Sequence, residues 1–176
     1  AQDGPTTARC MILVTPDAER TMNTYLGACL GLGPKDMDPA TIEGSAITYM
    51  EGYLWDPPAA KAAFREAAAI AHAAGRKVAL TLSDSFCVDR WRAEFLELMR
   101  TKTVDIVFAN TSEVKSLYQT ADFATALEAL RATDAHLPPG ERLRMGALAA
   151  AEIISHVGAR PRENLAALAA ANGLKP

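Results

Sequence analysis

Only three of the 176 residues are cysteines: Cys10, Cys29 and Cys87. Their number is odd, their spacing is wide and none forms a C-x-x-C pair, which excludes a disulfide framework and a thiolate metal site and leaves reduced thiols as the expectation. The histidines, His72, His136 and His156, are equally scattered, so neither a metal cluster nor a hydrolase triad is suggested. His72 and His156 are expected on helix surfaces. No apolar run approaches the roughly 20 residues of a membrane span, and the polar start at residues 1–5 is not a secretory signal. Positive charge is not in excess: 18 Lys and Arg stand against 21 Asp and Glu, a net charge of −3. That balance argues against nucleic acid or an anionic membrane as the main partner. A cytoplasmic location is the expectation.

Several chemical motifs are missing as well. There is no G-x-x-x-x-G-K-[ST] phosphate loop and no G-x-S-x-G elbow. Gly27, Gly31 and Gly33 do not follow a strand and open a helix, as a dinucleotide fingerprint must, and read as loop. What is present is an ordinary globular balance, 49% apolar and 22% charged, sufficient for a real core in one compact domain.

Hydrophobic patterning gives the organisation. Residues 10–14 form an apolar run closed by Thr15-Pro16-Asp17-Ala18, and in residues 20–26 Thr21, Asn23 and Tyr25 alternate with Met22, Thr24 and Leu26. Residues 9–26 therefore read as a β-hairpin with one face turned to something partly apolar. Residues 27–39 read as glycine-rich and polar loop. Then come a strand at 47–51, a helix at 58–74 stopped by Gly75, a strand at 77–82, a helix at 88–100 with Trp91, Phe95, Leu98 and Met99 on one side, a strand at 104–109, and helices at 112–118 and 123–132. This order predicts an α/β fold, a doubly wound, mostly parallel sheet with right-handed crossovers and flanking helices. Beyond residue 132 the pattern predicts a loop at 133–140 and helices at 141–157 and 163–171. Three parallel strands and a hairpin are few for such a sheet, and a segment is expected to be missing near Leu137.

Polar and aromatic residues gather where the predicted strands end. Glu51-Gly52-Tyr53 follows the first, Ser83-Asp84-Ser85-Phe86 the second and Asn110-Thr111-Ser112-Glu113 the third, all at the sheet edge where open α/β sheets bind ligands. Each cluster has a second, structural reading. Asn110 and Glu113 fit a capping box, Ser83 or Asp84 a helix cap, and Tyr53 and Phe86 core-edge aromatics.

In order and spacing the chain resembles the ribokinase (PfkB) family of carbohydrate and nucleoside kinases, most closely its bacterial adenosine kinase branch. The matching residues are the hairpin run 12–28, Glu51-Gly52-Tyr53-Leu54, Thr81-Leu82-Ser83-Asp84-Ser85-Phe86, Asn110-Thr111-Ser112-Glu113, Gly146-Ala147-Leu148-Ala149-Ala150-Ala151-Glu152 and Gly158-Ala159-Arg160-Pro161. The resemblance implies a ribokinase-like fold with a hairpin lid at residues 8–28 on a nucleotide-binding core at 29–176. It implies ATP and Mg2+ as cofactors and transfer of phosphate to the 5'-hydroxyl of adenosine or a related nucleoside, a ribose or fructose kinase being the near alternative.

By position, Asn110 and Glu113 resemble the family's N-x-x-E group, which organises magnesium, water and the ATP phosphates, with Glu113 on the metal side. Arg20, taken to lie at the base of the hairpin, resembles a lid arginine that approaches the transferred phosphate. Met22, Thr24 and Leu26, with Tyr53 and Phe86, match the wall of a nucleoside pocket. Ala147 and Ala150 match the helix flanking the ATP adenine. Relatives of this kind are monomers or homodimers. The family's G-A-G-D motif, which holds the catalytic Asp, is absent around Leu137 and Pro138, and so is the glycine-rich ribose-binding region expected ahead of Ala1. The expectation is that these residues belong to a longer kinase; without the missing segments a noncatalytic nucleoside-binding protein is the reading from another class.

Overall fold

Strand β1 (Arg9–Val14) and strand β2 (Arg20–Tyr25) arise from the first apolar run and the alternating segment after it, and pair antiparallel with Ile12 opposite Met22 and Val14 opposite Arg20. The computed structural model describes residues 4–17, 19–133 and 162–173. In the turn, Thr15 N–H donates to the Glu19 carbonyl at 2.9 Å and the Asp17 carboxylate accepts the Thr15 hydroxyl at 2.5 Å. The hairpin returns to the rest of the chain through Gly27, whose φ is +55° and where a Cβ would lie 2.1 Å from the Thr6 carbonyl oxygen. Only glycine fits there.

All twelve strand residues of the hairpin are exposed. The expected single apolar face is replaced by two: Met11 and Leu13, 68% and 65% exposed, lie on one, and Ile12, Val14 and Met22 on the other. The reason is in the run at 10–14, which is continuously apolar and so loads both sides of a period-2 strand.

Helix α1 (Pro39–Gly44) was not anticipated. Pro39 presets its first turn, and the Asp38 carboxylate caps it by accepting Thr41 N–H at 3.3 Å. Short 3-10 turns occupy Gly27–Gly31, Pro34–Asp36 and Gly52–Trp55, so most of the segment read as loop is in fact helical in short pieces. Strand β3 (Ile47–Glu51), helix α2 (Pro58–Ala73), strand β4 (Lys77–Thr81), helix α3 (Ser85–Arg100), strand β5 (Ile106–Phe108), helix α4 (Thr111–Tyr118) and helix α5 (Phe123–Thr133) follow as expected in type and order. Helix α3 starts three residues earlier than the apolar period suggests, because Asp84 accepts Cys87 N–H at 2.6 Å and caps it. It is kinked at Trp91 (φ −120°, ψ 16°).

The strands form one parallel sheet in the order β3-β4-β5, the α/β arrangement expected of a ribokinase-like fold. Its core gathers side chains of the sheet, α2 and α3. Trp55 is fully buried, with its ring centroid 5.8 Å from Phe64 and 6.2 Å from Phe95, while Val78, Leu80 and Leu82 fill the sheet layer below. Each ring pair contributes about 0.5–1.5 kcal/mol beyond area burial. The indole N–H is satisfied by Glu94 at 2.9 Å, and the same carboxylate takes Lys61 at 2.7 Å.

Residues 1–133 make one compact unit and residues 134–176 another. In the second, helix α6 (Leu165–Ala171) starts two residues inside the expected range because Asn164 caps it, accepting the Ala166 and Ala167 N–H groups. The expected helix at 141–157, the gap near Leu137, His136, His156, Ala147 and Ala150 lie outside the described residues.

Candidate functional site

The three parallel strands end on one row. Glu51 pairs with Thr81, and Thr81 with Phe108, so the residues that follow each strand share one edge, the carboxyl edge where such sheets bind ligands. After β3 the backbone passes close to β4. A Cβ on Gly52 would lie 2.6 Å from the Thr81 carbonyl oxygen and 2.7 Å from Ser83 Oγ, and the Gly52 carbonyl accepts the buried Cys87 thiol at 3.4 Å. Ser83 Oγ donates to the Glu51 carboxylate and accepts Tyr53 N–H at 3.2 Å. The Tyr53 hydroxyl donates to Asp84 Oδ2 at 2.6 Å, the carboxylate whose other oxygen caps α3. That hydrogen bond, reinforced by burial, pushes the Tyr53 phenol up to about 12. Burial alone would raise Asp84; the Tyr53 hydroxyl, the Cys87 N–H and the Arg90 charge together hold it below the usual carboxylate range.

At the end of β5 the N-x-x-E pair closes on itself. Asn110 N–H donates to Glu113 Oε2 at 3.0 Å, Asn110 Nδ2 donates to Oε1 at 2.6 Å, and Glu113 N–H donates to Asn110 Oδ1 at 2.9 Å. The capping box is therefore real. Glu113 is 5% exposed, an otherwise rare state for a carboxylate. Burial raises its pKa; the Asn110 N–H opposes that, and the nearby charges of Asp84 and Glu51 add to the rise. Glu113 thus feels the carboxylates at the other two strand ends.

The sequence-derived wall is only partly assembled. Tyr53 and Phe86 stand at this edge, 50% and 74% exposed, Phe86 in the first turn of α3. Met22, Thr24 and Leu26 remain on the open hairpin or just after it, and no hydrogen bond or ion pair joins the hairpin to the strand-end cluster among the described residues. Arg20 is not at the hairpin base: it pairs with Val14 beside the turn, the end farthest from Gly27, because β2 begins there. It shares its face with Met22 and Thr24 by strand alternation. Sequence reasoning placed Glu51 and Ser83 in the strand-end clusters, Ser83 also as a cap candidate, and gave neither a role of its own; a serine with positive φ has no signature in composition or period. A cavity of about 380 Å³ lies beside the cluster, between α1, β3 and α2, and shares Glu51 with it.

Residues 1–143 match the pfkB family carbohydrate kinases. The chain belongs to the pfkB family. The adenosine kinase from Sinorhizobium meliloti is 64% identical, with a TM-score of 0.71 over 74% of this chain and 40% of that one. A probable sugar kinase protein from Rhizobium etli CFN 42 is 40% identical, with a TM-score of 0.78 over 95% of this chain and 66% of that one. The Anopheles gambiae adenosine kinase, 24% identical with a TM-score of 0.58 over 69% of this chain and 37% of that one, shares the fold. No curated protein matches. The chain thus spans 40% of the length of the first of these pfkB relatives and 66% of the second.

Kinases of this family use ATP, typically with a divalent cation. Among the described residues no group of three acidic, histidine or cysteine side chains can enclose a metal. Glu113 uses both oxygens on Asn110, yet a carboxylate offers about four acceptor positions, so two remain. Magnesium keeps several waters and takes one or two carboxylates plus phosphate oxygens. A buried carboxylate whose ionised form is disfavoured by its acidic neighbours gains from such a cation.

Proposed function

We propose that the protein carrying these residues is an ATP-dependent, magnesium-requiring kinase that phosphorylates the 5'-hydroxyl of adenosine or a related nucleoside. The observation that carries the reading is the convergence of Tyr53, Asp84 and the Asn110–Glu113 pair on one carboxyl edge, in a chain 64% identical to an adenosine kinase over 74% of its length. Phosphoryl transfer asks a protein for positioning and for charge around the moving phosphate. Magnesium, when bound, supplies positive charge to the triphosphate. Glu113, steadied by Asn110, would hold the ion at the sheet edge, and Arg20 brings a guanidinium when the hairpin folds over as a lid. Residues 8–28 act as that lid on the core at 29–176, with Met22, Thr24 and Leu26 closing over Tyr53 and Phe86. A flat base suits this aromatic wall better than a bare sugar does. Ala147 and Ala150 are assigned to the ATP adenine. The acceptor is a small molecule, the setting is the cytoplasm, and the protein works as a monomer or homodimer.

The likeness to the probable sugar kinase over 95% of the chain favours a second reading, a ribose or fructose kinase. ADP formation by the complete natural polypeptide, compared with adenosine, ribose and fructose as acceptors, decides between them. Turnover with adenosine is expected; turnover with a sugar alone selects the second reading, and adenosine binding without product selects a noncatalytic nucleoside-binding protein.

A further inference from the structure

Ser83 has an uncommon backbone. Three described residues other than glycine have positive φ: Ser83 at 72°, Lys102 at 56° and Gln119 at 52°. Gln119 is the C-cap of α4 and Lys102 directly follows the C-cap of α3, places where a left-handed residue routinely ends a helix. Ser83 instead sits between a strand and a helix N-cap. Asp84 N–H donates to the Leu82 carbonyl two residues back at 3.0 Å, so Ser83 is the centre of a three-residue γ-turn, and its φ is that of the rarer, strained form. Glycine would adopt it without strain.

Its hydroxyl grips the exit of β3 from both sides, donating to the Glu51 carboxylate and accepting Tyr53 N–H at 3.2 Å. It fits because Gly52 has no Cβ, which would lie 2.7 Å from Ser83 Oγ. Tyr53 is thereby held at two ends by neighbouring residues, its amide on Ser83 and its phenol on Asp84 at 2.6 Å, while half of the residue stays open to solvent. A ring fixed at both ends and free on its surface is a ready stacking platform, because its orientation is set before a ligand arrives.

We infer that Ser83 is a positioning residue for nucleoside selection: the hydroxyl of its strained γ-turn fixes the Tyr53 ring as the platform on which the base of the substrate stacks. The inference rests on the nucleoside kinase reading. Asp84 and Glu51 take part through the bonds they make, and the ring alone touches substrate.

The test uses Ser83→Gly, which keeps the turn and removes the hydroxyl, and Ser83→Ala, which removes the hydroxyl and keeps the strain. Both are measured in the complete natural polypeptide. Native-state amide exchange at Tyr53 is expected to speed up about tenfold in Ser83→Gly and Ser83→Ala. The KM for adenosine is expected to rise about tenfold with kcat and the KM for ATP within about twofold, since the lost interaction orients the acceptor alone. If Ser83→Ala does not fold, Ser83→Gly carries the test. Unchanged exchange and unchanged KM in Ser83→Gly overturn the inference while leaving nucleoside phosphorylation standing. Faster exchange in a protein that turns over no nucleoside removes the kinase reading and, with it, Ser83's part in selection.

Discussion

Asn110 and Glu113 hold each other through three hydrogen bonds, the backbone N–H and side-chain Nδ2 of Asn110 to the two Glu113 oxygens and the Glu113 N–H back to Asn110 Oδ1. One pair of side chains thus starts α4 and also presents a buried carboxylate at the sheet edge. Under the proposed function, structural and chemical duties fall on the same atoms.

Glu113→Gln separates those duties. Glutamine keeps one acceptor oxygen and turns its NH2 toward an Asn110 donor, so the folded state is expected to lose about 1–3 kcal/mol. In the complete enzyme the magnesium concentration for half-maximal rate rises and kcat falls, with nucleoside KM unchanged. Magnesium titration at saturating adenosine checks this, and an unaltered rate contradicts a metal-side role.

Arg20→Ala acts on an exposed residue beside the hairpin turn. Stability is expected to change by less than about 0.5 kcal/mol. Turnover drops while adenosine affinity, measured by calorimetry, holds; an equal loss of affinity would tie Arg20 to the acceptor and not to the phosphate.

Asp105 joins the opposite end of the sheet. Its carboxylate accepts Val78 N–H at 2.8 Å, His72 at 2.9 Å and Lys77 at 3.2 Å. Burial alone would raise its pKa, but the Val78 N–H, His72 and Lys77 outweigh it and hold the folded value below 3.8. A depressed folded pKa stabilises above the ordinary value and is lost as pH falls through the folded one. Asp105→Asn is expected to destabilise by roughly 1–3 kcal/mol at neutral pH. The gap between variant and parent should close as the pH falls below 3.8; urea midpoints at neutral and strongly acid pH measure it, and a pH-independent gap contradicts the ionic account.

Gly52→Ala places a methyl 2.6 Å from the Thr81 carbonyl oxygen. The neighbour is strand backbone and cannot swing away, so a loss of about 1–3 kcal/mol is expected, as for other overpacked sites. A lower urea midpoint with an unchanged slope is the signature, and an unshifted midpoint would mean that the β3–β4 crossing is looser than described.

Much of this arrangement could be read from the chain. The strand at Ile47–Glu51 and the hairpin follow from short apolar segments and a Pro-Asp turn, and the α/β order follows from apolar periods switching between 2 and 3.6. Asn110 and Glu113 were legible because a cap has a fixed spacing. Helix α1 was not, because six residues with one buried apolar side chain, Ile42, leave no period to detect. The place of Arg20 was misjudged because the sequence marks a turn without saying which flanking residue lies nearest the body of the protein. The bonds of Ser83 to Glu51 and Tyr53 cross 32 and 30 residues, and only the parallel register brings them together.

The hairpin has a consequence for handling. Among the described residues β1 and β2 pair only with each other, so each strand keeps an outward row of unused amides and carbonyls beside oily side chains. Such a ribbon invites further strands to add on. Concentrated stocks should therefore self-associate through residues 9–25, and a lysine in place of Leu13 should keep them dispersed.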